Sequence, residues 1–351
     1  MKHFILPMLF VILSLGCNNS NSDRTMYFRE SADKTIDIRD QVVSVKTDIL
    51  FRFGDFLIVD TLLVYTDFAS VNPEVIHIFN KRSFEYITST GTSGRGPREI
   101  TGVGCGYLDL DGKVLWVDDH GNQVKWKFPI DSILSNSNFL PSTKIEMNNE
   151  FFMTDGGFIS DSVVLGVAVV PLSNSSMEMT MAKENLYSGE IEKFGYVYPE
   201  AKDRYDTYFN FCLSLRDSLY VHCYTYVDLM TICDLNGNLI VNVEGSSFNK
   251  RDEAVKYFIG VDIYKNYIIA SYIGDRYVIL DGGNEPQIIS PSKFLVFDMD
   301  GNYLKTLKVG SQFSSFCVDE DNDRIVLFFE EKEDSFGYFS LKDIDFSSDE
   351  T

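Results

Sequence analysis

The residues of this chain that could do chemistry are a glycine-rich loop, one acidic string, a few histidines and a set of cysteines. The stretch STGTSGRGPREITG, residues 89–102, places Gly91 and Gly96 at the separation used by a phosphate-binding loop. Pro97 and Arg98 then stand where a lysine and a hydroxyl are required, so nothing there would reach a terminal phosphate or hold magnesium. The series Gly94, Gly96, Glu99 approaches a dinucleotide fingerprint but lacks its third glycine and a following helix. The loop reads instead as a joint between two sheets. Its glycines permit bends, and Pro97 fixes φ and ends a strand ladder.

The string DEDNDRIVLFFE, residues 319–330, sets Asp319, Asp321, Asp323 and Glu330 at calcium-loop positions. The required glycine is Arg324 and an apolar strand follows, so the string reads as a hairpin turn. The turns DLDG (109–112) and DMDG (298–301) read the same way. Of the four histidines, His77 and His222 lie in strand-like runs and His120 in a turn, with no spacing suited to zinc. No G-x-S-x-G elbow offers a nucleophilic serine. Carboxylates are too numerous for sequence to choose an acid–base pair, so the catalytic residues are unknown. A site assembled from separate segments would leave no trace. No metal and no cofactor is expected.

Beyond Cys17 there are Cys105, Cys212, Cys223, Cys233 and Cys317, an odd number with no C-x-x-C pair. That argues against a full disulfide framework, and apolar surroundings such as YFNFCLSL suggest buried small hydrophobes. The chain opens MKHFILPMLFVILSLGC, a charged start and a short apolar run before Gly16-Cys17. Residues 1–16 are expected to be a signal peptide. The Gly-Cys ending resembles the lipobox of bacterial lipoproteins, with Ser14 and Leu15 in the reverse of the common order; it implies lipidation of Cys17. Residues 17–33, including NNSNSD, would be lipid attachment and tether. The net charge of -21, from 52 acidic against 31 basic residues, argues against nucleic acid as a partner. Membrane association is expected through the lipid anchor only, at the cell envelope (periplasmic or outer-membrane surface).

These candidates must be positioned by strands. Helical periodicity is nearly absent, and short β-branched and aromatic runs recur between Asp, Asn and Gly turns. Phe (28) and Tyr (19) suit a core of packed sheets. The segments TICDLNGNLIVNVEG (231–245) and LVFDMDGNYLKTLKVG (295–310) share a strand, an Asp-x-[Asn/Asp]-Gly-Asn turn and a second strand, and IHIFNKRSFEYITSTG (76–91) repeats the plan. Units return at blade-like spacing, giving six: 56–91, 102–150, 151–198, 205–245, 257–310 and 313–341. The fold class expected is all-β, a six-bladed β-propeller over 34–345, with 346–351 as a tail. Residues 34–53 would close the ring by pairing with the C-terminal blade. An open sandwich is the alternative.

The string Gly-x-x-Gly-Arg-Gly-Pro-Arg-Glu-Ile at 91–100 resembles the G-x-G-x-G-P-G-E-F linker of six-bladed, TolB-like propeller lipoproteins of Bacteroides-type bacteria. Arg98 and Ile100 replace the usual glycine and phenylalanine. The resemblance covers nearly the whole mature chain and implies a fold, with no firm activity. In such a ring, loops between blades share a face with loops joining each blade's second and third strands. Arg95, Arg98, Tyr198, Arg204, Tyr205 and Arg276 would lie on that face, as a candidate binding rim. The bland alternative is that the arginines satisfy loop carbonyls and the tyrosines pack between blades. The first functional expectation is a non-catalytic cell-envelope binding or scaffold module for an unknown protein, peptide or glycan. The alternative is a hydrolase or lyase with its site at the central channel. Convergent His, Asp or Glu side chains at the channel mouth would favour catalysis, and a tyrosine–arginine rim without them would favour binding.

Overall fold

The computed structural model describes residues 24–347 apart from 137, 149, 174–175, 200–206, 251, 253 and 281–285. The signal segment, Cys17, Arg204 and Tyr205 lie outside the described residues. Three short strands come first: β1 (Thr25–Phe28), β2 (Thr35–Asp37) and β3 (Val43–Val45). The first full sheet holds β4 (Gly54–Val59), β5 (Leu62–Asp67), β6 (Glu74–Asn80) and β7 (Tyr86–Thr92). The second holds β8 (Val103–Leu108), β9 (Val114–Asp119), β10 (Val124–Pro129) and β11 (Lys144–Glu146), with helix α1 (Ile130–Ser135) before its last strand. The third is β12 (Phe152–Phe158), β13 (Val163–Ser173), β14 (Ser176–Asn185) and β15 (Glu190–Lys193). The fourth is β16 (Phe209–Ser214), β17 (Leu219–Tyr224), β18 (Leu229–Asp234) and β19 (Leu239–Gly245).

The fifth sheet begins with β20 (Val255–Tyr264) and β21 (Tyr267–Arg276). It is interrupted by a separate hairpin, β22 (Val278–Leu280) and β23 (Pro286–Ile288), and resumes with β24 (Lys293–Asp298) and β25 (Tyr303–Lys308). The sixth is β26 (Ser315–Asp319), β27 (Arg324–Phe328) and β28 (Phe336–Ser340). The sheets are six antiparallel meanders arranged as the blades of a β-propeller. Their first strands, β4, β8, β12, β16, β20 and β26, touch in succession, and β26 returns to β4. The apolar side chains fall into six clusters, each between neighbouring blades. The cluster between last and first sets Phe328 and Phe336 against Phe51, Phe56 and Tyr65. Alternation along each strand gives every blade two apolar faces, and a ring of blades is what buries both.

Of the stretch 34–53, Val43–Val45 pairs antiparallel with β28 and supplies the sixth blade's outer strand. The rest of the N-terminal segment does something the sequence reading missed. Strand β1 pairs parallel with β19 and β2 parallel with β25, so the chain runs as a belt around the outside of blades four, five and six. The tether assigned to 17–33 therefore ends before Thr25. An outer strand carries unpaired backbone donors and acceptors, and the belt satisfies them. At the other end the tail begins later than 346, because Phe346 is buried with its ring 4.9 Å from that of Tyr267.

The repeated turns have a common device. The carboxylate of Asp234 accepts from the backbone N–H groups of Asn236 and Asn238, and Asp298 accepts from those of Asp300 and Asn302. Gly237 and Gly301 sit at φ 84° and 89°, a region open to glycine without strain. Asn80 and Asn185 play the carboxylate's part in blades one and three. A short acidic or amide side chain closing the turn on its own backbone explains why the motif recurs without a ligand.

Candidate functional site

The described residues of the expected rim, Arg95, Arg98, Tyr198 and Arg276, lie in segments at the end of the ring where the inner strands begin, each among its own neighbours. Arg98, at φ 73°, turns outward, and its guanidinium donates to the carbonyls of Leu140 and Pro141, which follow α1 at the outer junction of blades one and two. Arg95 is exposed in the same linker. Arg276 is exposed and forms an ion pair with Asp252, Nη2 to Oδ2 3.5 Å. Tyr198 packs edge-on against Phe248 in the wedge of blades three and four, and its N–H donates to the Tyr224 hydroxyl. The linker that carries Arg95 and Arg98 is held by Glu99, which accepts the Gly96 N–H at 2.6 Å, and by the buried carboxylate of Asp119, which accepts from the Thr101 and Gly102 N–H groups.

The acidic string is likewise answered by protein cations. Asp319 accepts from Arg324 Nε at 2.9 Å, Asp321 pairs with Lys81 at 2.5 Å, and Asp323 pairs with Lys265 at 2.6 Å. Among the described residues, no three His, Cys, Asp or Glu side chains are grouped to hold a metal ion. His222 is buried beside Phe209 and Tyr224, and burial pushes its imidazole down to about 3. A second internal network joins blades two and three. Lys125 Nζ donates to the Tyr107 hydroxyl at 2.6 Å and to Asp118 at 3.0 Å, and stands 3.3 Å from Glu184. All four residues are buried, so this is a closed structural lattice.

The convergence that sequence could not show lies on the axis. Each inner strand carries an aspartate or a cysteine, in chain order Asp55, Cys105, Asp155, Cys212, Asp262 and Cys317, and the last of them also ends on Asp319. Mutual electrostatic influence links the carboxylates and thiols across blades. At the end where the inner strands begin, the channel opens in a cavity of about 190 Å³. Its wall includes Asp55, Asp155, Asn210, Gly260 and Ser315. Cys212, Asp262 and Cys317 follow Asn210, Gly260 and Ser315 by two residues, so they sit on the same strand face one step, about 7 Å, further down. Phe53 and Phe68 form the rim, their rings edge-to-face with centroids 5.5 Å apart.

The axial groups differ in how they are held. Asp262 is fixed, accepting from the N–H groups of Ile263 at 2.7 Å and Val318 at 2.8 Å; its second bond ties blade five to blade six. Asp55 accepts only locally, from the Phe56 N–H at 2.8 Å. Asp55 is exposed to the cavity, and the surrounding protein walls of the ring push its carboxyl up to about 6. For Asp155, burial and then the neighbouring Asp55 charge push the carboxyl up to about 7. Burial also pushes the thiols of Cys105, Cys212 and Cys317 up, which keeps them protonated and poor nucleophiles. The channel mouth can therefore offer carboxylates that take or give protons near neutrality, and it holds no activated thiol. The only sequence signal was an Asp or Cys in the first apolar run of each repeat, visible once the blades are aligned.

No family profile and no curated protein matches the sequence. The fold is matched by solved structures. A member of the DUF4221 family from Bacteroides vulgatus aligns with TM-score 0.59 and 12% identity over 86% of this chain and 98% of its own. A luciferin-regenerating enzyme aligns with TM-score 0.56 and 10% identity over 88% and 97%. An exported protein of Bacteroides fragilis aligns with TM-score 0.51 and 11% identity over 90% and 98%. At these identities the likeness is one of architecture, a six-bladed propeller, and carries no activity over to this chain.

Proposed function

We propose that this protein is an exported, lipid-anchored propeller that binds its ligand at the channel mouth. The observation that locates the site is the convergence of Asp55 and Asp155 from separate blades on one cavity, the feature that the sequence criterion set on the side of catalysis and that the second reading below therefore takes up. The inner strands fix their positions through interblade packing, so little ordering is required on binding. The arginine–tyrosine rim gives no comparable convergence, and the site moves from the loops to the axis. The reading of an envelope protein rests on the signal-like start and Cys17, and agrees with the exported B. fragilis protein of similar fold. Strand β1 runs parallel to β19, toward the end of the ring that holds the cavity. A tether ending at β1 thus joins the ring's perimeter from the opposite side and leaves the mouth facing away from a membrane.

A second reading has a specific observation in its favour. Asp55 and Asp155, held at about 6 and 7, have the poise of a general acid and base, so hydrolase or lyase chemistry at the same cavity is the alternative. One experiment separates the two. Envelope extract fractions are screened for binding to the purified protein and to Asp55→Asn and Asp155→Asn, with the bound fraction re-analysed by mass spectrometry. Binding expects an unaltered ligand whose retention is lost in both variants. An altered ligand with wild type, and an intact one trapped by either variant, assigns catalysis. Retention indifferent to both variants removes the channel as the site.

A further inference from the structure

We infer that the channel mouth recognises an alkylammonium group, a protonated primary amine on an unbranched carbon chain; this rests on the mouth being the binding site. Asp55 and Asp155 face a cavity whose described lining contains no lysine or arginine. Their negative charge is left for a ligand to compensate. Beside them are hydroxyl groups in want of a partner. The oxygens of Tyr65, Ser314 and Ser315 are buried and unbonded, and both serines line the cavity. Tyr65 is 0% exposed, and its hydroxyl lies 2.6 Å from where a Cβ on the cavity-lining Gly54 would stand. A side chain at position 54 would clash with this phenol, which packs behind the cavity wall; the hydroxyls that line the cavity are those of the two serines. An ammonium group has three donors and no acceptor. Two carboxylates and an unpartnered hydroxyl oxygen are the complement it requires.

The surroundings select an organic cation over a metal ion. The aromatic rim of Phe53 and Phe68 offers π surface to an organic cation, which sheds water more readily than a divalent metal ion and carries an apolar chain to cover. No described trio of ligating side chains is grouped to hold a metal. The cavity, about 190 Å³, is smaller than the 300–1,000 Å³ or so that a drug-sized ligand fills, so it suits a headgroup and a few carbons. Ser314 also lines an adjoining groove of about 520 Å³ bounded by Glu330 and Glu331. The rest of the chain, with any second positive charge, has an acidic path outward.

The test is calorimetric titration of the purified protein at pH 8 with n-pentylamine, cadaverine and Nα-acetyl-lysine amide, against n-pentanol, valerate and calcium chloride. The amines should bind and the neutral, anionic and metal probes should not. Asp55→Asn and Asp155→Asn should each weaken binding about ten- to a hundredfold, the loss of one charge-assisted hydrogen bond. Ser315→Ala should weaken it about threefold, and the exposed Glu150→Gln should leave it unchanged. Cadaverine above acetyl-lysine amide points to a free diamine, and the reverse to a lysine carried on a polypeptide. A readout needing no variant is proton release: at pH 7 an ammonium draws the carboxyls toward their ionised form, so the binding enthalpy should depend on the buffer. Pentanol or calcium matching pentylamine, or equal binding by the asparagine variants, overturns the inference. A neutral oligosaccharide lost in Asp55→Asn, with amines silent, overturns it while leaving the channel reading standing.

Discussion

The same residue type does opposite things at different places in this chain. Asp234 and Asp298 are turn anchors, each accepting two backbone N–H groups of its own turn and the side-chain amide of the asparagine that closes it. Asp155 sits on an inner strand, where the ring withholds solvent and Asp55 adds like charge, and its carboxyl is held near 7. A carboxyl above its unfolded value near 3.8 takes up protons on folding. Its contribution thus favours the folded state most below pH 3.8 and is lost as pH rises through about 7. Asp155→Asn should therefore raise the melting temperature of the ligand-free protein at pH 8, about 2–4 °C for each kcal/mol relieved, and leave it nearly unchanged at pH 4. Paired thermal melts at the two pH values check this. A melting temperature lowered at pH 8 would mean that Asp155 is a structural partner, not a strained ionisable group. The turn aspartates were legible from D-x-[ND]-G-N alone. The axial ones were not, because a lone Asp in an apolar run means nothing until the strand is placed beside five others.

At the scale of the element, the six meanders were legible and the belt was not. Repeats announce themselves because each blade must solve the same problem, two apolar faces and a tight turn. The N-terminal strands solve a different one, covering edges made by residues more than two hundred positions away, as when Thr25 meets Asn242. Their short length leaves no periodic signature. Phe28 shows what the belt contributes. It is 6% exposed, with its ring 5.3 Å from that of Phe297 and 6.2 Å from that of Phe258. Phe28→Ala should cost about 3–5 kcal/mol in urea unfolding. Tyr27→Ala, one residue earlier and 77% exposed, should cost little. Equal effects of the two substitutions would reduce β1 to an incidental edge strand.

At the scale of the whole molecule, the ends of the chain decide how the propeller is presented. The last blade borrows β3 from the N-terminal segment, so the ring is assembled from both termini. Among the described residues, no helix is long and apolar enough to cross a membrane. Under the proposed function the anchor is at Cys17, and Cys17→Ser should move the protein from the membrane fraction to the soluble fraction on ultracentrifugation. Continued sedimentation of that variant with membranes would refute the anchor. What the sequence alone determined was class and repetition: β-branched and aromatic runs, Asx–Gly turns, about six units, and the failure of the glycine-rich loop as a phosphate cradle. Those properties are local, set by backbone preference and by neighbours a few residues apart. The tertiary structure alone decided where the chemistry lies. Arg98 was spent on loop carbonyls, whereas Asp55, Asp155 and Asp262, one from every second blade, were gathered on the axis. Closing a ring brings the corresponding positions of distant repeats together, and no spacing along the chain encodes that distance.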